Sequence, residues 1–153
     1  MPTRVLLVDD HAIIRQGLCS LLEKQPDIEV VGSVEDGRKA VDIARELTPD
    51  LVIMDISMPN LNGIDATRKI IGEMGNVKVI ALSIHSSRHF VAEMLKAGAS
   101  GYILKECLFD ELVEAIKTVL NGGTSLSPKI TGAVIDDYAK RLSTQYQPEG
   151  PVL

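Results

Sequence analysis

The amino-acid sequence predicts an α/β fold in which helices cover both faces of a parallel sheet. Five short apolar runs, each the length of a strand, are separated by stretches in which apolar residues have helical spacing. The runs are nearly continuous, as is typical of strands that are buried on both faces. They lie at residues 5–8, 28–31, 51–54, 77–82 and 102–104.

The stretches between the runs predict amphipathic helices. Turn signals support the boundaries, because Pro26, Pro49 and Gly98 each precede a strand and Gly122 follows the last helix. A strand followed by a helix, repeated five times, predicts a doubly wound sheet of the flavodoxin-like type with strand order 2-1-3-4-5. The apolar stripes are Ile14, Leu18, Leu21 and Leu22 in the first helix, Ala40, Ala44 and Leu47 in a weaker one, and Leu112, Ile116, Val119 and Leu120 in the last.

The C-terminal part of the chain has a different character, which divides the sequence into a domain at 1–122 and a segment at 123–153. Small residues at 123–128 predict a linker, and a further helix follows it. This segment is too short for a complete DNA-binding domain, and we expect residues 145–153 to fray. The helix carries an apolar stripe, which either packs on its own domain, on a second copy or on a domain that this chain lacks. The stripe consists of Ile130, Val134, Ile135, Tyr138 and Leu142.

Composition excludes several classes of protein. The 153 residues are 45% hydrophobic and 24% charged, which is typical of a globular domain. The 16 basic and 21 acidic residues give a net charge of −5, which argues against a broad nucleic-acid surface. No apolar run approaches a membrane span and no secretory signal begins the chain, so we expect a cytoplasmic protein without membrane contact. Cys19 and Cys107 lack the spacing of a zinc site, and we expect buried or half-buried free thiols.

Polar residues follow the apolar runs at the points where the predicted strands end. Asp9 and Asp10 follow the first run, Asp55 the third, Ser83 the fourth and Lys105 the fifth. Because the carboxyl ends of parallel strands meet at one edge, we expect these side chains to share a crevice, although any single carboxylate there is as well explained by a helix cap. Clustered carboxylates repel one another unless a cation is present, and oxygen ligands suit Mg²⁺. Aspartate is also a known phosphoryl acceptor, and lysine suits a phosphoryl group.

These residues resemble the receiver domain of response regulators over residues 4 to about 122. The resemblance implies that Asp55 accepts a phosphoryl group from a phosphohistidine on a sensor histidine kinase in a two-component system. It also implies that the protein promotes its own Mg²⁺-dependent phosphorylation and dephosphorylation and is not a turnover enzyme on a separate substrate. The matching motifs are Val8-Asp9-Asp10, Met54-Asp55, Met58-Pro59, Gly63, Ser83 and Lys105.

The resemblance also implies a ligand set for the metal. Mg²⁺, for which Mn²⁺ is a substitute, is expected to bind Asp10, Asp55 and the backbone carbonyl of Ser57. Asp9 is expected to support the metal through water.

A second group of residues is implied to act as the switch. Ser83 and Lys105 are expected to contact the phosphoryl oxygens, and Tyr102 is expected to change rotamer as Ser83 moves. Two departures from the family pattern stand out. Ser83 replaces the commoner threonine but keeps the hydroxyl, and Glu106 stands where many receivers have proline, which leaves the geometry of that peptide open.

Further motifs resemble the NarL/LuxR (FixJ-type) subfamily of transcriptional regulators. They are Asp10-His11 and residues 15–18, 97–102 and 126–128. This resemblance implies a homodimer on phosphorylation and a C-terminal helix-turn-helix domain that is absent from this chain. DNA binding and transcription regulation are therefore expected of a full-length parent, and no DNA contact is expected of this chain.

Other interpretations weigh less. A phosphorylation-independent interaction module with the receiver fold is the main alternative. A Mg²⁺-dependent hydrolase of the haloacid-dehalogenase type is disfavoured because Ser57 stands where such enzymes have a second aspartate. A flavin site is disfavoured because no phosphate-binding loop follows the first strand. We expect His11, His85 and His89 to be exposed loop or helix residues.

Overall fold

Strands and helices alternate along most of the chain. The computed structural model describes residues 2–58 and 61–145, so Pro59, Asn60 and residues 146–153 lie outside the described residues. The tail predicted to fray at 145–153 is therefore described only at Gln145, which ends the last helix. The strands are β1 (Thr3–Val8), β2 (Ile28–Val34), β3 (Leu51–Asp55), β4 (Lys78–Ser83), β5 (Gly101–Leu104) and β6 (Ser125–Leu126). The helices are α1 (Ala12–Glu23), α2 (Gly37–Leu47), α3 (Gly63–Glu73), α4 (Arg88–Lys96), α5 (Leu108–Leu120) and α6 (Pro128–Gln145).

The strands form one parallel sheet in the order β2-β1-β3-β4-β5-β6. This order confirms the predicted flavodoxin-like fold. The sixth strand lies within the segment that the sequence predicts to be a linker. Ser125 and Ser127 donate backbone hydrogen bonds to the carbonyls of Ser100 and Tyr102, both at 3.1 Å, so this short segment extends the sheet.

Two apolar cores lie on the two faces of the sheet. On one face α1 and α5 cover β-strand residues such as Leu7 and Ile53. On the other face α2, α3, α4 and the start of α6 cover residues such as Leu6 and Met54. The central strands are buried on both faces as predicted, and their carboxyl ends are therefore held rigidly at one edge.

Two predictions of burial were wrong. The run at 28–31 belongs to β2, which is an edge strand of exposed and half-buried residues, because no strand covers its outer side. Leu120 is 39% exposed although it was predicted on the apolar stripe of α5. Val119 is fully buried, and a helix turns by about 100° per residue, which carries its neighbour Leu120 off the packed face.

The first part of the α6 stripe packs on its own domain. Ile130 is fully buried, and Val134 is packed against the same core beside α4. Ile135 and Tyr138 remain exposed. Of the three partners left open by the sequence, the first is the one that the described residues show.

Two smaller expectations also have outcomes. Cys19 and Cys107 are half-buried free thiols, as predicted. Within residues 2–58 and 61–145, no helix has the length and apolar character needed to cross a bilayer.

Candidate functional site

The predicted crevice residues converge at the carboxyl end of the sheet. Asp55 is the last residue of β3 and Ser83 the last of β4, and both are buried, as is Asp9 directly after β1. Lys105 follows β5, and its Nζ lies 3.0 Å from Asp9 Oδ2 and 3.3 Å from Asp55 Oδ1. Asp10 is exposed beside them. The strand-end rule therefore brought all five side chains to one place.

The turn after β1 is fixed by two residues whose contacts the sequence did not reveal. The His11 backbone donates to Asp9 Oδ1 at 2.8 Å, and its ring Nδ1 lies 2.9 Å from Asp9 Oδ1 and 3.1 Å from Asp10 Oδ1. The Arg15 guanidinium donates to the backbone carbonyl of Asp9. His11 is exposed, as predicted, yet it contacts both carboxylates. Arg15 follows His11 by one helical turn, which was the only signal in the sequence for its role.

The carboxylates and the lysine perturb one another. Burial, and then the charge of Asp9, raise the pKa of Asp55 from 3.8 to about 7, against the opposing effect of Lys105. Burial alone would lower the pKa of Lys105, but hydrogen bonding to Asp9 and the carboxylate charges outweigh it and raise that pKa above its usual value. The lysine is therefore a cation, and the two aspartates compete for it.

The donor set fits a hard divalent cation. Asp9, Asp10, His11 and Asp55 each place a ligand atom within 4.8 Å of the others. Three of these are carboxylates, which Mg²⁺ prefers, and Asp55 Oδ2 is buried with no hydrogen-bond partner in the described part of the chain. An unpaired buried carboxylate oxygen is costly, and a cation at this point would satisfy it. Ser57 lies exposed in the turn after β3.

Ser83 and Tyr102 hold the loop between β4 and α4. The Ser83 Oγ accepts a hydrogen bond from the His85 backbone at 2.8 Å, and the Tyr102 hydroxyl donates to the His85 carbonyl at 2.8 Å. Tyr102 is fully buried, and its burial raises the pKa of the phenol. The side chains of Ser83 and Tyr102 therefore act on the same loop residue.

The remaining histidines lie beside this loop. The half-buried His85 ring stacks on Phe90 with ring centres 4.5 Å apart, so the expectation of an exposed residue was wrong for His85. His89 is exposed, as predicted. The peptide after Lys105 is trans, and Glu106 lies exposed in a single turn of 3-10 helix formed by Lys105–Cys107.

A parallel sheet of this order, with three carboxylates and a lysine at one edge, defines a receiver-type site. The family described as "Response regulator receiver domain" matches residues 5–117. The chain belongs to this family of two-component signalling proteins, as the sequence motifs predicted.

Curated relatives identify the branch of the family. The chain is 42% identical over 144 residues to the transcriptional regulatory protein DegU of Brevibacillus brevis, covering 94% of this chain and 61% of the relative. It is 41% identical over 132 residues to the transcriptional regulatory protein LiaR of Bacillus subtilis (strain 168), covering 86% and 63%. The chain thus spans about three fifths of the length of these relatives, which are response regulators of the LuxR/NarL type.

Solved structures agree with this placement. A LuxR-family two-component response regulator from Aurantimonas sp. SI85-9A1 superposes with a TM-score of 0.85 at 37% identity, covering 91% of this chain and 99% of that one. The response regulator domain of Thermotoga maritima CheB gives a TM-score of 0.73 at 38% identity, covering 79% and 98%. The isolated receiver domain of Salmonella enterica RcsB, solved with the phosphomimetic BeF3⁻, gives 0.80 at 23% identity over 87% and 99%, a likeness of fold alone.

Proposed function

We propose that this chain is a phosphorylation-controlled switch whose phosphoacceptor is Asp55. The observation that carries the proposal is the state of this carboxylate: Oδ1 lies 3.3 Å from the Lys105 ammonium, whereas Oδ2 is buried without a hydrogen-bond partner in the described residues. Asp9 Oδ2 is also buried without a hydrogen bond, but the Lys105 ammonium lies 3.0 Å from it. An oxygen in this position is available to attack phosphorus. The donor is a phosphohistidine of a sensor histidine kinase: a P–O bond forms, the P–N bond breaks, and the leaving imidazole nitrogen takes up a proton.

The metal ligands proposed for Mg²⁺ or Mn²⁺ are Asp10, Asp55 and the Ser57 backbone carbonyl. Asp9 is proposed to contact the metal through a water molecule and not directly, because its two oxygens already contact His11 and Lys105. A divalent cation, when bound, neutralises charge on the transferring phosphoryl group. Two side chains of the protein have further roles. Lys105 stays protonated beside Asp55, and Arg15 binds the carbonyl of Asp9 and so fixes the acidic turn.

The conformational response is proposed to begin at Ser83. A phosphoryl group on Asp55 adds strong acceptor oxygens, which attract the Ser83 hydroxyl and the Lys105 ammonium. The hydrogen bond from the His85 backbone N–H to the Ser83 hydroxyl then breaks, and the loop that Tyr102 also holds rearranges. Phosphorylation thus shifts the population toward a second conformation, whose surface favours homodimerisation.

The output is proposed from the longer relatives. Residues 1–122 would form the receiver domain, and residues 123–153 the linker and extra helix that lead toward a helix-turn-helix domain. DNA binding and transcription regulation would belong to that domain, with no DNA or membrane contact by this chain and a cytoplasmic location. The receiver would also promote its own Mg²⁺-dependent phosphorylation and dephosphorylation.

Intact mass spectrometry tests the phosphoacceptor. The wild type, incubated with Mg²⁺ and a small-molecule phosphodonor, should gain one phosphoryl group, and Asp55→Asn should gain none. Asp27→Asn, at the opposite end of the sheet before β2, is the matched control and should behave as the wild type. An adduct on Asp55→Asn would refute the assignment of this residue. A wild type without any adduct, whichever donor and metal are used, would favour a phosphorylation-independent interaction module instead.

A further inference from the structure

The hydroxyl of Ser127 joins three elements of the fold. Ser127 directly precedes Pro128, the first residue of α6, and is only 2% exposed. Its Oγ accepts a hydrogen bond from the Leu104 backbone at 3.1 Å and donates one to Glu111 Oε1 at 2.8 Å. A single side chain thus connects the end of β5, the first turn of α5 and the start of α6.

The backbone explains why a side chain is needed here. The Ser127 N–H still belongs to the sheet, since it donates to the Tyr102 carbonyl at 3.1 Å. The next rung of a parallel ladder would run from the Leu104 N–H to the Ser127 carbonyl. That carbonyl has already turned into the helix, where it accepts from Ile130 at 2.8 Å and Thr131 at 3.0 Å. The serine hydroxyl takes its place, so the buried Leu104 N–H depends on it.

Leu104 is the residue before Lys105, whose ammonium reaches Asp9 and Asp55. We infer that Ser127 is a positioning residue, which fixes the carboxyl end of β5 for Lys105 and links the state of the acidic site to the start of α6. The inference rests on the proposed function, because the link matters only if the site takes up a phosphoryl group. This coupling is reciprocal: a change that loosens the start of α6 also weakens the interaction of Lys105 with the phosphoryl group.

A second contact also connects the residues after β5 with α6, but it contributes little stability. Glu106, next to Lys105, pairs with Lys129 in α6 at 3.3 Å, and both side chains are exposed. Exposed ion pairs contribute little and are screened by salt. Of these two side-chain contacts, the buried hydroxyl is therefore the one that holds the end of β5 to the start of α6.

Beryllofluoride with Mg²⁺ is the probe for this inference. We expect Ser127→Ala, which loses the hydrogen bonds to Leu104 and Glu111, to weaken the affinity for beryllofluoride by about fivefold, measured by titration calorimetry. The affinity for Mg²⁺ alone should not weaken, because Lys105 does not ligate the metal. Ser127→Thr keeps the hydroxyl and should restore wild-type affinity. The matched control is Thr131→Ala, which removes a hydroxyl from the same turn of α6. Within the described residues this hydroxyl donates to the Ser127 carbonyl, at 3.3 Å.

The link to α6 has its own readout. Beryllofluoride should change amide hydrogen exchange at residues 129–134 in the wild type and leave it unchanged in Ser127→Ala. Where the alanine variant does not fold, Ser127→Cys gives the same comparison, since its thiol has nearly the same shape but is a weak acceptor.

The outcomes are distinguishable. Equal weakening for beryllofluoride and Mg²⁺ would reveal a general disturbance of the site and overturn the inference. Wild-type affinity or a wild-type exchange response in Ser127→Ala, or in Ser127→Cys where that variant replaces it, would overturn it as well. A wild type that binds no beryllofluoride would overturn the proposed function itself.

Discussion

The Lys105 ammonium lies 3.3 Å from Asp55 Oδ1, although one strand separates the two residues in the sheet. Asp55 ends β3, Lys105 follows β5, and the lysine therefore reaches across the end of β4, where Ser83 lies. Any group that binds Asp55 therefore lies close to the Lys105 cation, at the sheet edge where β4 ends in Ser83. Lys105 therefore interacts directly with the charge on Asp55, and this interaction changes whenever that charge changes.

Replacing this lysine should separate phosphorylation from its consequence. We expect Lys105→Ala still to gain a phosphoryl group but to dimerise less, because no ammonium is drawn toward the phosphoryl oxygens. Its affinity for Mg²⁺ should rise several-fold, since a cation next to Asp9 and to the proposed ligand Asp55 has been removed. Intact mass, size-exclusion with light scattering and metal titration measure these effects. Lys117→Ala, an exposed lysine on α5, is the control; wild-type dimerisation of Lys105→Ala would contradict the role given to Lys105.

The raised pKa of Asp55 predicts a pH-dependent stability. The carboxyl titrates near 3.8 in the unfolded chain and at about 7 in the fold, so between these values the folded state holds a proton that the unfolded state has released. The stabilisation by this proton is complete below pH about 3.8 and is lost as the pH rises through about 7. Asp55→Asn lacks this dependence. With divalent cations removed by a chelator, the free energy of unfolding of Asp55→Asn minus that of the wild type should therefore increase from pH 4.5 to 7.5. The expected increase is on the order of 2–4 kcal/mol.

Urea denaturation of both proteins at the two pH values measures this difference. Added Mg²⁺ should reduce it at pH 7.5, because the cation stabilises the ionised carboxylate of the wild type alone. A difference between the two proteins that does not vary with pH would show that Asp55 is not the group that titrates.

The sequence predicted the acidic site well because strand ends obey a simple rule. A continuous apolar run ends where the strand leaves the core, and parallel strands bring those ends together. Asp9, Asp55, Ser83 and Lys105 were found in this way without any knowledge of their distances. The same rule could not find Arg15, whose contact is with a backbone carbonyl and depends on where α1 begins.

The C-terminal segment was predicted less well, for a different reason. Residues 125–126 form a strand of only two residues, and no periodicity exists at that length. Ser127 was assigned to a linker, although it is buried, because its partners Leu104 and Glu111 lie far from it in the chain. Local patterns report periodic burial, and they do not report a side chain that substitutes for a carbonyl.

The tyrosine hydroxyl in the core should make a measurable contribution to the loop after β4. We expect Tyr102→Phe to lose the hydrogen bond to the His85 carbonyl, lowering the free energy of unfolding by about 1 kcal/mol. Amide exchange at residues 84–87 should accelerate, because the loop then loses one of its restraints and keeps the Ser83 hydrogen bond and the stacking of His85 on Phe90. The control is Tyr138→Phe, whose ring is exposed on α6 and should change neither quantity. Unchanged loop exchange in Tyr102→Phe would mean that this hydrogen bond does not restrain the loop.

Two glycines of α3 give opposite predictions within one helix. A Cβ added at Gly63 would lie 2.1 Å from the backbone oxygen of Asp55, whereas one added at Gly72 would have no neighbour within 4 Å. The Gly63 N–H also donates to the Ile56 carbonyl at 2.8 Å, so Gly63 lies directly against the backbone at the end of β3. Gly63→Ala must therefore displace the backbone of Asp55.

We expect Gly63→Ala to lower the free energy of unfolding by about 3 kcal/mol or more and to abolish the phosphoryl adduct. Gly72→Ala should raise it by about 0.5–1 kcal/mol, because alanine is the better helix former, and should leave the adduct unchanged. Denaturation and intact mass measure both variants side by side. If Gly63→Ala kept wild-type stability and phosphorylation, the close contact between α3 and the phosphoacceptor turn would be wrong, since no rotamer change relieves a clash between a Cβ and a backbone oxygen.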